Sequence, residues 1–282
     1  MAMLFNSIFN EFIKIAAKPR SYLGLGAITV LVGVILLALK ADGMSFISFV
    51  TASFEQTLSF QGDILNGNLV AFIILQMLII HIPLLVALVT GDLVSGEAAS
   101  GTIRMLLTKP ISRTQLLLSK FIAGGVYTLC IIVWLGFMSV VMGKILFGSG
   151  DLMVLNSDGL IILQKPDVNW RYTGGFAVAF LALLTVSSLS ICLSCFTSNS
   201  IGPIVTTMAI IILFTIIGTL DVRIFDSVRP YLFTTHMAAW RSFFEEPFPE
   251  TDILKSIGIL LIHNVALIGI SLYSFNKKDI TA

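Results

Sequence analysis

The chain has 282 residues, of which 56% are hydrophobic and only 12% charged, about half the charged share of a soluble domain. A soluble core of this length does not use that much apolar surface, and left exposed it would aggregate, so the composition excludes a soluble protein. A net charge of +1 without a basic run excludes nucleic acid as a partner, and three cysteines in apolar stretches read as small buried hydrophobes rather than a disulfide framework.

The chain opens with Leu4, Phe5, Ile8, Phe9, Phe12, Ile13 and Ala16 at helical spacing, with Asn6, Ser7, Asn10, Glu11 and Lys14 on the other face. This pattern predicts an amphipathic helix over 1–20 lying in the membrane interface, broken by Pro19. The alternative is that these residues start one long, kinked first helix. The cleavable-signal pattern of a basic stretch before a short apolar run is missing here.

Six windows are long and apolar enough to cross a bilayer: 21–39, 69–90, 121–143, 174–196, 201–220 and 253–275, each close to the ~20 residues a helical span needs. The alternating ten-residue pattern of a transmembrane barrel is missing. The expected fold is an all-α polytopic membrane protein, with six transmembrane helices in one domain over 21–282. Segments 1–20, 91–120, 197–200 and 276–282 carry nine of the 17 Lys and Arg residues in fewer positions than the other connections. The bias places both termini in the cytoplasm.

Between the second and third spans lies a polar island, 91–120. Gly91 and Asp92 end the second span, and Ser95-Gly96-Glu97 and Gly101 follow. Ile103, Leu106 and Leu107 then share one face of a short amphipathic helix that carries Arg104 and Thr108 on another. Lys109-Pro110 stops that helix, and Ser112 through Gln115 forms a capping box for the third span. Two readings fit: a helix fixed across the ends of two spans that transmits a push from a cytoplasmic partner, or an ordinary surface loop.

The outer segments differ. In 144–173, Asn-Ser-Asp-Gly between apolar runs predicts a β-hairpin over 152–163. In 221–252, seven aromatic residues stand among charges. That mixture predicts short helices dipping in from outside, or alternatively a folded cap with an aromatic core.

Polar groups inside spans are candidates for a substrate path, namely His81, His263 and Asn264, with local hydrogen bonding and helix packing as the plainer readings. The serines of the fourth span fit close helix packing. Cys192 and Cys195 have C-x-x-C spacing without a nearby His or basic residue, so no metal site is expected. The one Gly-Lys pair, Gly143-Lys144, precedes Ile145 and is no phosphate loop. Neither H-E-x-x-H nor G-x-S-x-G occurs and the spans hold almost no acids, so no catalytic residue is assigned and an enzyme is not expected.

The set Asp92, Ser95-Gly96-Glu97, Gly101-Thr102, Arg104, Leu106-Leu107, Pro110-Ile111-Ser112-Arg113 and Leu118-Ser119-Lys120 resembles the cytoplasmic signature of ABC-2-type ABC transporter permeases. The resemblance implies the transmembrane subunit of an ATP-driven exporter in a bacterial cytoplasmic (inner) membrane. It implies a coupling helix that docks into an ATPase, with Asp92, Glu97, Gly101, Thr102, Arg104, Leu107, Pro110 and Arg113 as coupling residues. It further implies an interfacial N-terminal helix and re-entrant helices before the last span. Two separate ABC ATPase subunits holding ATP and Mg, and a second permease copy, identical or related, are implied as partners beside the lipid bilayer. Family members often place charges after the Glu, where this chain has Ala98-Ala99-Ser100, so Glu97 and Arg104 are expected to carry the ionic contact. The alternative function is an ATP-independent membrane transporter or scaffold.

Overall fold

A computed structural model describes residues 2–51, 65–78, 81–102, 105, 111–156 and 159–278. Helix α1 spans Ala2–Ala17 and α2 Arg20–Thr51, the latter with a non-helical Asp42. The next helices are α3 (Gly67–Leu78), α4 (Ile82–Thr90) and α5 (Asp92–Ala99). A long α6 covers Arg113–Phe147, with a π-helical stretch at Phe137–Val141. Strands β1 (Leu152–Asn156) and β2 (Gly159–Leu163) precede α7 (Lys165–Ser194) and α8 (Ile201–Thr219). After short helical turns that include α9 (Phe233–Met237), α10 runs over Glu250–Lys277.

Six helices are long and apolar enough to cross a membrane: Arg20–Gly43, Ile82–Ala99, Arg113–Phe147, Lys165–Ser194, Ile201–Thr219 and Glu250–Lys277. The chain is therefore a mostly helical integral membrane protein. The second span departs from the sequence expectation at both ends. The window 69–90 is divided between α3 and α4, because Pro83 stands in the first turn of α4, where its missing N–H costs no helical bond. At the other end, Gly91 keeps helical angles (φ −65°, ψ −20°) and passes the chain into α5. The polar Asp92–Ala99 stretch is helix rather than the start of a loop. Gly101, at φ +70°, makes the turn that follows, in backbone geometry glycine adopts without strain.

Helix α7 is the axis of the fold. Of its most apolar stretch 67% is buried within the chain, against 17% for α8, and it packs on α4, α6, α8 and α10. At one end of the bundle α3 crosses the end of α6 closely. A Cβ on Gly67 would lie 2.5 Å from the Lys144 backbone, and the Gly67 amide donates to the Gly148 carbonyl at 2.9 Å. Nearby, Asn66 and Asn68 donate to the carbonyls of Asp151 and Gly150, and the Tyr172 hydroxyl donates to the Asn68 carbonyl. The hairpin forms over 152–163 as an antiparallel pair, with Asn156 opposite Gly159 and Leu152 opposite Leu163. Leu152, Val154 and Leu163 turn into the core.

Much of the aromatic content of 221–252 is internal. Phe244 meets Tyr172 at 4.9 Å and Phe72 at 5.2 Å between ring centroids, and Trp240 meets Phe72 at 5.9 Å. Trp240, Phe243 and Phe244 are buried, so these rings fill a core against α3 and α7. Buried Arg171 of α7 fastens the segment by donating to the carbonyls of Phe243 (2.8 Å) and Glu245 (3.1 Å) and pairing with the Glu246 carboxylate.

Candidate functional site

The other end of the bundle gathers α1, α5 and the start of α6, together with the last residues of α7 and α10. Helix α1 has three faces, and the polar one turns toward the protein. Ser7, Glu11 and Lys14 recur at helical spacing along one face, and Lys18 continues that line just beyond the helix. Each finds a partner on another element. The Ser7 hydroxyl donates to Ser119 Oγ at 2.9 Å, and the Lys18 ammonium lies 2.8 Å from Asp92 Oδ2, which also pairs with Arg20. Phe5, Phe9 and Ile13 form an exposed apolar stripe, with Asn6 and Asn10 exposed beside it.

At the centre is a closed ring of alternating charge. Lys14 Nζ lies 2.6 Å from Glu11 Oε1 and 2.5 Å from Glu97 Oε1. Lys120 Nζ lies 3.0 Å from Glu11 Oε2 and 2.7 Å from Glu97 Oε2. Each carboxylate touches two ammonium groups and each ammonium two carboxylates. The arrangement answers a severe cost, since Lys120 is 0% exposed and Glu11 2%, and charges removed from water persist only when paired. Lys14 sits at the rim. Burial alone would lower its pKa, but its bonds to Glu11 and Glu97 and their charges outweigh that and hold it above its ordinary 10.5.

Asp92 opens α5, where a carboxylate also complements the helix N-terminus. Gly96, one turn further on, leaves the space that the Asp92 carboxylate occupies, since a Cβ there would stand 2.6 Å from Asp92 Cγ. Helix α5 is tied to α7 as well, because the amides of Ser95 and Val94 donate to Ser194 Oγ at 2.7 and 3.3 Å. Beyond Gly101, the Thr102 hydroxyl donates back to the Glu97 carbonyl at 3.3 Å. Arg113, behind the capping box formed by Ser112 and Gln115, reaches the end of α10. Its NH1 donates to the carbonyls of Lys278 (2.7 Å) and Asn276 (3.1 Å), and the Lys278 ammonium donates to the Cys195 carbonyl at 2.9 Å. Helix α1 and the last described residues of the chain thus lie at the same end of the bundle as α5.

Of the coupling residues read from sequence, Asp92, Glu97, Gly101, Thr102 and Arg113 meet at this end. Arg104, Leu107 and Pro110 lie outside the described residues. Asp92 and Glu97 are buried and paired within the chain. The partners Glu11, Lys14, Lys18, Arg20 and Lys120 were not identified as site residues from the sequence. The available signal was Lys120 heading an apolar run and Glu11 standing in an amphipathic helix.

The path candidates are placed differently from one another. His81 is exposed where α4 begins, with Nδ1 3.0 Å from the Met77 carbonyl. His263 is half-buried, with Nδ1 2.9 Å from the Ile259 carbonyl and its ring 5.9 Å from that of Phe233. Asn264 is buried and bridges α10 to α7, donating to Thr185 Oγ1 at 2.7 Å and accepting from the Ser188 hydroxyl at 2.8 Å. Among the described residues no group of three or more His, Cys, Asp or Glu side chains is placed to hold a metal ion.

Two curated proteins are similar to part of the chain. The uncharacterized protein YhcI of Bacillus subtilis (strain 168) is 29% identical over 122 residues, 40% of this chain and 37% of that protein. The probable ABC transporter permease protein NosY of Stutzerimonas stutzeri is 28% identical over 91 residues, 32% of this chain and 33% of that protein. The chain thus spans about a third of the length of the curated relatives it matches. A family described as a protein of unknown function (DUF2705) matches residues 28–281, nearly the whole chain, and the chain belongs to that family.

Proposed function

We propose that this chain is the membrane-spanning permease subunit of an ATP-driven exporter of the ABC-2 type. Two ATPase subunits on separate chains hold ATP and Mg, and a second permease copy completes the path. The observation that carries the reading is the fastening of α5: ion pairs hold it to α1 and α6, and hydrogen bonds hold it to α7. A push on the segment that follows it is therefore not absorbed locally. The partial similarity to a probable ABC permease supports the same reading.

In this reading 91–120 is the cytoplasmic coupling segment, both termini are cytoplasmic, and the chain sits in a bacterial inner membrane. Helix α1 lies in the interface with Phe5, Phe9 and Ile13 toward the lipid and Asn6 and Asn10 toward water, as its three faces require. The segment 221–252 is the re-entrant element at the outer face. With Asp92 and Glu97 engaged internally, contact with the ATPase falls to 98–110, and Arg104 is its basic anchor. His81 remains a path residue, because it stands exposed between the apolar helices α3 and α4, where an ionisable group faces a cavity or a partner rather than lipid. Asn264, bonded to Thr185 and Ser188, serves helix packing in this reading.

The test is to ask whether a neighbouring reading frame encodes an ABC ATPase and, with that ATPase co-expressed, to measure ATP hydrolysis in proteoliposomes. The chain is expected to co-purify with the ATPase and stimulate it, and Arg104→Ala is expected to lower that stimulation without loss of membrane insertion. A chain that binds no ATPase, or one that transports without any, refutes the reading in favour of an ATP-independent transporter or scaffold.

A further inference from the structure

Glu11, Lys14, Glu97 and Lys120 come from three elements, α1, α5 and α6, yet close one ring with contacts of 2.5–3.0 Å. Apolar surfaces slide past one another at modest cost, because their attraction has no preferred direction. A buried ring of alternating charge does not, since a small displacement leaves a desolvated charge without its partner. Lys120 is the least replaceable member. It is wholly buried, and its ammonium is the one link between Glu11 and Glu97 that has no access to water. We infer that the ring makes α1 a moving part of the coupling unit, with Lys120 as its positioning residue: displacement of 92–99 carries α1 along and is delivered to the start of α6. The surface helix is then a working component and not a passive anchor. This inference rests on the permease reading, so its test separates the two.

The first readout is docking of α1, independent of any ATPase. Ser7 Oγ and Ser119 Oγ stand 2.9 Å apart, so the double substitution Ser7→Cys with Ser119→Cys reports that contact by oxidative cross-linking. The background is the full chain in membranes with Cys130, Cys192 and Cys195 replaced by alanine. Cross-linking is expected to be efficient with the ring intact, to fall by about an order of magnitude in Lys120→Met and in Glu97→Gln, and to survive in Lys120→Arg. If Lys120→Met fails to accumulate, the near-isosteric Glu97→Gln and Glu11→Gln carry the same comparison. The second readout, without the cysteine pair, is stimulation of the partner ATPase, expected to fall in parallel and to return with Lys120→Arg. Undiminished cross-linking in the neutralised variants overturns the ring as the lock on α1. Lost cross-linking with full stimulation overturns the transmission role. If the unsubstituted chain stimulates no ATPase while its cross-linking follows the expected pattern, the permease reading fails and the transmission role with it.

Discussion

Replacing Gly96 with alanine sets two physical effects against each other. In a helix interior the change is worth about 1 kcal/mol in favour of alanine. At Gly96, however, the new Cβ would stand 2.6 Å from Asp92 Cγ and 2.7 Å from Asp92 Oδ2, so the carboxylate must move. Asp92 is 2% exposed and holds Lys18 at 2.8 Å and Arg20 beside it. Overpacking of this kind costs about 1–3 kcal/mol. Lys18 and Arg20 are each about a third exposed, so water takes over part of their charge and loss of the pair adds roughly 1 kcal/mol. The balance is a destabilisation of about 2 kcal/mol, or a midpoint lowered by about 4–8 °C for a chain of this size. Thermal melts of the detergent-solubilised full chain, followed by size-exclusion fluorescence, measure it. Gly26→Ala is the control, since a Cβ there meets nothing within 4 Å and the midpoint should hold or rise. If Gly96→Ala behaves like Gly26→Ala, the tight fit between Gly96 and the Asp92 carboxylate is wrong.

Two further outcomes follow from contacts already described. Arg171→Met removes two bonds to the carbonyls of Phe243 and Glu245 and the ion pair with Glu246. It should cost about 3 kcal/mol and speed proteolysis within 239–249; an unchanged cleavage rate would contradict the fastening role. Lys14 has its pKa raised above 10.5 in the folded chain, so its contribution to stability is complete below that pH and is lost as pH rises through the folded value. The difference in melting midpoint between the unsubstituted chain and Lys14→Met should stay level up to about pH 10 and shrink above it. A difference that already shrinks between pH 6 and 8 would place the titration on another group.

What the sequence disclosed depended on the range of the interaction. The spans are legible because about 20 apolar residues in a row admit few other fates. The hairpin is legible because Asn-Ser-Asp-Gly dictates its own turn, and the capping box because Ser112 and Gln115 are three residues apart. The division of the second apolar window between α3 and α4 was not legible, because hydropathy alone does not mark where one apolar helix gives way to another. The site was legible as a place rather than as a set of bonds. Asp92 and Glu97 stood out as charges beside a membrane span, yet their partners come from α1 and α6, and Glu11 and Lys120 are 109 residues apart. No spacing rule relates such positions, because only the packed bundle brings them together. Arg171 escaped for the same reason, with its carbonyl partners more than seventy residues away.

The two ends of the bundle are fastened by different forces. One is held by ion pairs of ammonium, guanidinium and carboxylate groups, the other by edge-to-face rings, hydrogen bonds to backbone carbonyls and the Arg171 guanidinium. Agents that act on charge and agents that act on apolar contact therefore address opposite ends of the same helices. Chaotropic salt and alkaline pH will loosen the end that bears α1 and α5, whereas a change of detergent will loosen the ring-lined end first. A lever with unlike fastenings can be released at one end while the other holds.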